Sequence, residues 1–248
     1  YTLTMSATAV SVDSGSSWSV TSNPLAGSTS SERWYSTGTL SGTASTQAIV
    51  FTFYHQYLET LSYMVNGGGS PTAPTFTADR NGVSTSETLT DTATGDWFDA
   101  GSSWSVTPNP LDGSTGSERW YSGDTLSGTL SLSEAETHIF TYQHQYYLTM
   151  QANPPEGGTF TPSSGWQNAG SSVPISARGA SRYASYVFSS WSGSGSGSYT
   201  GSANPSSVTM NGPITETANF VPGVAVDLTV SYAVVGDGTG YFAPVFNY

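Results

Sequence analysis

The 248-residue chain reads as an all-β protein of tandem small domains, of β-sandwich, immunoglobulin-like or half-open-barrel type. Its first domain is read as incomplete and completed by a strand from the C-terminus. Three observations predict this. Apolar and polar residues alternate with period two in short segments, and no window sustains the 3.6-residue period of an amphipathic helix. Clusters of Gly, Pro, Asn and Ser punctuate those segments. A long internal repeat recurs out of phase with the chain ends.

The repeat defines the units. Gly15–Val20 (GSSWSV) recurs as Gly101–Val106, Asn23-Pro24-Leu25 as Asn109-Pro110-Leu111, and Ser31–Ser36 (SERWYS) as Ser117–Ser122, each 86 residues apart. The spacing holds back to Thr2-Leu3-Thr4 against Thr88-Leu89-Thr90, so Tyr1 corresponds to Glu87, inside the second unit. The opening of that unit, Thr60–Val65 and Ala73–Phe76, has its counterpart in Thr229–Val234 and Ala243–Phe246, offset by 169 and then 170 residues. A more diverged third unit matches Trp97–Ser103 with Trp166–Ser172, 69 residues on. The units are therefore an incomplete one at 1–56, complete ones at 57–145 and 146–221, and a tail at 222–248.

The strands follow in order. Tyr1, Leu3 and Met5 alternate with Thr2, Thr4 and Ser6. Trp18–Thr21 and Ala48–Tyr54 come next, then Thr137–Tyr142 in the second unit and Ser185–Phe188 in the third. In the tail, Val224, Val226, Leu228, Val230, Tyr232 and Val234 share one face. Gly236–Gly240 interrupts the run, and Phe242, Phe246 and Tyr248 resume it. Trp18 and Trp104 alternate with Ser in the same motif and are expected at equivalent buried positions, because small domains have few other large groups to bury.

Composition narrows the class. Only 9% of residues are charged, against about a quarter in ordinary globular chains. Aromatics reach 13%, too many for a disordered low-complexity chain. The net charge is −12 and all five cations are Arg, so the surface repels nucleic acid and anionic headgroups. No Cys supplies a disulfide, and no run of 18 apolar residues inserts into a membrane. A chain opening on Tyr1 fits a secreted, cell-surface protein after signal removal. Asn204-Pro205-Ser206 is blocked as an N-glycan acceptor by its Pro, while the abundant Ser and Thr leave O-linked glycans open.

Candidate chemistry is thin. Gly193-Ser194-Gly195-Ser196-Gly197 fits the nucleophile-elbow pattern but lies in a Ser-Gly run without a helix signal, and reads as a hairpin loop. His55 and His144 occupy equivalent His-Gln-Tyr steps at unit ends; one His per junction reads as a packed strand end rather than a metal ligand, and His138 is the third His. Glu32-Arg33-Trp34 and Glu118-Arg119-Trp120 read as an Arg over a Trp face with a partial ion pair, rather than an acid beside a sugar platform. Asp96, Asp99, Asp112, Glu118 and Asp124 are hard ligands of the kind that hold Ca²⁺, but the first unit has Val10, Ala26 and Gly38 at three of their places. No catalytic residue, cofactor or metal site is expected, with Ca²⁺ in the second unit the one candidate ion.

The third unit carries a family pattern. Tyr147-Leu148-Thr149-Met150, Pro155–Thr159, Ser164-Gly165-Trp166, Tyr186-Val187-Phe188, Ser190–Gly193, Val208-Thr209-Met210 and Ala218-Asn219-Phe220 resemble the divergent B-repeat modules of bacterial and archaeal cell-surface proteins. The first two units are similar to the Ser/Thr-rich tandem repeats of long archaeal surface proteins. The resemblance implies a small extracellular β-module used in display, adhesion or stalk building, and no catalytic residues.

An incomplete β-domain exposes unpaired backbone and an apolar groove, which a strand from another copy can fill. The link Val221-Pro222-Gly223 spans only about 10 Å, which disfavours folding the tail back past two units. The expected partners are identical subunits joined head to tail in a filament. The donor side chains are Val224, Val226, Leu228, Val230, Tyr232, Val234, Phe242 and Phe246; Leu3, Met5, Trp18 and Phe51 line the acceptor. Two alternatives stand beside this: one period of a long tandem-repeat surface or adhesion protein, and a carbohydrate-binding module of a secreted enzyme.

Overall fold

A computed structural model describes residues 1–180, 186–224, 229–236, 240 and 242–245. The first unit holds three short strands, β1 (Ser17–Ser19), β2 (Glu32–Tyr35) and β3 (Ser41–Thr43). Next come β4 (Tyr54–Asn66), β5 (Thr75–Arg80), β6 (Val83–Thr88), β7 (Thr94–Asp99), β8 (Ser103–Thr107), β9 (Glu118–Tyr121) and β10 (Ser127–Thr129). The longest strand, β11, covers Thr137–Asn153. The third unit adds β12 (Gly158–Thr161), β13 (Gly165–Asn168), β14 (Ser172–Gly179), β15 (Tyr186–Ser194), β16 (Ser206–Thr209) and β17 (Ile214–Pro222). Among the described residues the only helical piece is a 3₁₀ turn at Pro155–Gly157.

The protein is all-β, with several sheets and none closed into a barrel. One eight-stranded sheet runs β15-β17-β11-β4-β2, with β9 and β13 also on β11 and β7 on β4. Smaller sheets, β10-β8-β5-β6 and β12-β14-β16, supply the opposing layers of the second and third units, and β1-β3 stands alone in the first. β4 and β11 tie the units together. The start of β4 pairs antiparallel with β2, and its Thr60–Asn66 half pairs parallel with Thr137–Gln143 of β11. β11 then runs on to pair parallel with β17 through Leu148–Asn153. Positions 57 and 146, the expected unit edges, thus lie within these continuous strands.

Two apolar cores result. Leu61, Phe76, Phe98, Val106, Leu111, Trp120, Phe140 and Tyr142 fill the second unit, and Leu148, Met150, Ile175, Trp191, Val208, Met210, Ile214 and Phe220 the third. Phe76 sits at the centre of the first of these, with Phe98, Trp104 and Phe140 rings at 5.3, 5.6 and 6.5 Å.

Three expected strands do not form within the single chain. Residues 1–13 and 48–53 join no sheet, Tyr54 alone opening β4, and the described tail residues 224 and 229–235 are not extended into a ladder. The physical reason is that a strand is stable only on a hydrogen-bonded neighbour. In the second unit the paired counterparts are the end of β6 on β5, and β7 and β11 on β4, while positions 89–93, which correspond to 3–7, join no strand there either. Val226, Leu228 and Phe246 lie outside the described residues.

Candidate subunit-interface site

The local framework of the first unit is a copy of the second. Asn23 Nδ2 donates to Ser36 O at 2.8 Å and accepts at Oδ1 from Ser36 N at 3.0 Å; Asn109 and Ser122 repeat the pair at 2.9 and 3.0 Å. Ser28 and Ser114 hydroxyls both donate to the Leu carbonyl three residues back, at 2.7 Å. Trp18 lies across Gly42 of the paired strand just as Trp104 lies across Gly128. Trp18 meets Phe51 at 5.7 Å and 66°, and Trp104 meets Phe140 at 5.7 Å and 58°.

The cores above these frameworks differ. Val106, Leu111, Trp120, Phe140 and Tyr142 are buried, whereas their counterparts Val20, Leu25, Trp34, Phe51 and Phe53 are only half-buried. Leu89 is 3% exposed and its counterpart Leu3 is 56% exposed. No buried apolar side chain among the described residues comes from positions 1–56. What the second unit has in addition is Leu61 and Phe76, 2% and 0% exposed, from β4 and β5. Of the expected acceptor residues, Trp18 and Phe51 therefore come together, while Leu3 and Met5 stand in solvent. Trp18 and Trp104 are equivalent but half-buried rather than buried: each indole lies over a glycine of the paired strand, Gly42 or Gly128, Trp18 on the two-stranded β1-β3 sheet and Trp104 against the edge of the second-unit core. The described donor side chains Val224, Val230, Tyr232, Val234 and Phe242 are exposed.

The unit junctions are also repeated, and differ from expectation in one respect. Each Arg does cover a Trp face, but the Trp belongs to the next unit. Arg33 stacks on Trp97 and Tyr35, both at 4.3 Å, and Arg119 on Trp166 and Tyr121, both at 4.4 Å. Their Nε groups donate to Gln56 and Gln145 at 2.8 Å. Partial burial lowers both guanidinium pKa values from the usual range. The Glu of each triplet pairs with His instead: His55–Glu32 and His144–Glu118 are both 2.8 Å, with the imidazoles stacked on Trp34 and Trp120 at 4.6 and 4.5 Å. The second junction is sealed by the loop after β4, whose Gly67 carbonyl faces His144 Nδ1 and whose Gly68 carbonyl accepts from Trp120 Nε1, both at 3.0 Å. Adjacent in sequence, the Glu-Arg-Trp residues alternate across the strand, which sends Arg and Glu to different partners.

The other candidates are absorbed by structure. Asp96 pairs with Arg80, Asp99 accepts from the Asn81 and Gly82 amides, and Asp124 accepts from the Thr141 amide. These carboxylates do not converge on a Ca²⁺ site; the one ligand cluster among the described residues is Glu59, Glu136 and His138. Ser194 ends β15, and Gly195 and Gly197 have φ of +99° and +88°, with Pro213 and Thr209 carbonyls where a Cβ would be. The glycines serve a close-packed turn, not a strand-to-helix elbow.

Residues 148–223 match the family model of the divergent InlB B-repeat domain. No curated protein and no solved structure shows a significant match. B-repeat domains are typical of surface proteins, and this part of the chain is similar to such a module. Among the described residues no helix is long and apolar enough to cross a membrane.

Proposed function

We propose that this chain is a non-catalytic structural subunit of a secreted, extracellular fibre, in which residues 224–248 of one copy complete the first unit of the next. The observation that supports it most is the contrast between two near-identical frameworks: one closed over Leu61 and Phe76, the other open where those residues have no counterpart within residues 1–56. The tail carries the matching sequence, and its exposed valines favour transfer into such a groove.

The second unit supplies the register. Leu61 lies beside His138, Tyr63 beside Phe140 and Val65 beside Tyr142 in the parallel pair. Transferred through the repeat, Val230 lies beside Ile49, Tyr232 beside Phe51 and Val234 beside Phe53 of the neighbour. Phe76 pairs with Val106 on one side and Glu87 on the other, so Phe246 falls between Val20 and Tyr1. Gly236 then takes the place of Gly67, whose carbonyl faces the His of the junction. The segments at 1–13 and 48–53, unpaired in the single chain, gain ladder partners in the donated tail, and every contact is heterologous, which propagates a filament.

Electron microscopy of the purified chain, with its mass after denaturation, tests this. Filaments that dissociate to 25.9 kDa subunits are expected, and deletion of residues 224–248 leaves the second and third units folded but unpolymerised. Normal filaments from the truncated chain refute strand donation. A denatured mass in multiples of the period places the same contact within one longer tandem chain.

A further inference from the structure

The three residues Glu59, Glu136 and His138 come together where β4 meets β11, at the first pair of their parallel ladder, Thr60 with Thr137. Glu59 is 0% exposed, and its Oε1 has no hydrogen-bond partner. Its Oε2 accepts from the Glu136 amide at 2.8 Å. The His138 Nε2 is also buried and without a hydrogen-bond partner. It lies 3.6 Å from Glu59 Oε2 and 3.9 Å from Glu136 Oε2. Those separations are too long for hydrogen bonds. They are close to the roughly 3.3–3.5 Å between ligand atoms of a tetrahedral ion bound at about 2.0–2.1 Å.

Nothing else nearby compensates the carboxylate. The His138 ring is walled by Trp104, Phe76 and Phe140, with centroids at 5.1, 5.9 and 6.3 Å, and no Arg reaches the pocket in any hydrogen bond or ion pair among the described residues. A buried carboxylate with an unpaired oxygen beside an unpaired imidazole nitrogen is costly unless something cationic joins them. Glu136 is held in reach, its Oε2 accepting from the Ser131 amide at 3.0 Å. The repeat does not carry this cluster into the first unit: Gln47, Ile49 and Leu228 stand at the corresponding positions in sequence.

We propose that Glu59, Glu136 and His138 form a binding site for a divalent transition ion of the zinc class. One imidazole nitrogen and two carboxylate oxygens are a zinc-type donor set, with one position left for water; Ca²⁺, which takes six or more oxygens, does not fit it. The ion clasps β4 to β11 in a chain that has neither Cys nor Lys for covalent staples. The site is independent of strand donation, since all three residues belong to one chain.

Isothermal titration of the dialysed full chain with ZnCl₂, repeated with CaCl₂, tests it, together with thermal unfolding in zinc and in EDTA. One Zn²⁺ per chain is expected, with unfolding of the second unit moved to higher temperature. Glu59→Gln, which keeps the shape of the side chain, and His138→Ala each weaken binding at least tenfold, whereas His55→Ala and His144→Ala do not. Co²⁺ added to the unmodified protein gives the intense visible absorption of a tetrahedral site, a readout that does not depend on any variant folding. Absence of saturable zinc binding, an octahedral cobalt spectrum, or zinc binding that survives Glu59→Gln and is lost in His55→Ala overturns the proposal.

Discussion

Val230→Asp probes the donated strand at a buried position. Val230 is 54% exposed in the single chain, and its counterpart Leu61 is 2% exposed. Polymerisation therefore removes about half of the valine from water, worth about 1 kcal/mol on a scale of roughly 1.5–3 kcal/mol for full burial. Aspartate forfeits that gain and must also be neutralised to enter an apolar core. Protonating a carboxyl of pKa about 3.9 at pH 7 costs about 4 kcal/mol. The sum, about 5 kcal/mol per contact, raises the critical concentration for assembly roughly a thousand- to ten-thousand-fold. Sedimentation of filaments across a concentration series measures it directly. The control lies three residues on: Ala233 corresponds to Met64, which is 47% exposed, so Ala233→Asp should shift the critical concentration by less than about threefold. Equal effects from the two substitutions, or the larger effect from Ala233→Asp, would refute the register and the face assigned to the strand.

Phe98, fully buried against Phe76, should cost about 3–5 kcal/mol when truncated to Ala, seen as a lower urea midpoint for the second unit with the third unit unchanged. Arg119→Lys keeps the charge but loses the flat stack on Trp166 and the Nε bond to Gln145; a loss of about 1 kcal/mol is expected, with altered Trp166 fluorescence. Glu216 is buried in the third unit with one oxygen unpaired, and burial raises its pKa above 4.5 despite the bond from the Tyr199 amide. The folded state therefore holds the proton more tightly than the unfolded state. Stability from this group is full below about pH 4.5 and is lost as pH rises through the folded value. Glu216→Gln should flatten that slope, leaving the third unit more stable than the parent at pH 7 and equal to it at pH 4 by thermal melting.

Much of the molecule was legible in the residues. Period-two alternation marked β1, β8, β11 and β15, because the side-chain period of a strand is a local property. The 86-residue repeat foretold that Trp18 and Trp104 would be equivalent and that Asn23 and Asn109 would organise the same loop, since bonds spanning 13 residues are rebuilt wherever their segment recurs. The B-repeat pattern at the C-terminal third was readable for the same reason. Pairing between distant segments was not. That Arg33 would stack on Trp97 rather than Trp34, or Glu59 meet His138, depends on which strands lie side by side, and the Glu59–Glu136 contact joins residues 77 apart. Alternation says which face a residue takes but not which neighbour it finds. The segments at 48–53 and 229–235 alternate well yet form no strand in the single chain, because the backbone partner each needs is absent from its own unit; the repeat named the missing segment, and the fold, by pairing its counterparts in β4 and β5 of the second unit, shows what that segment contacts.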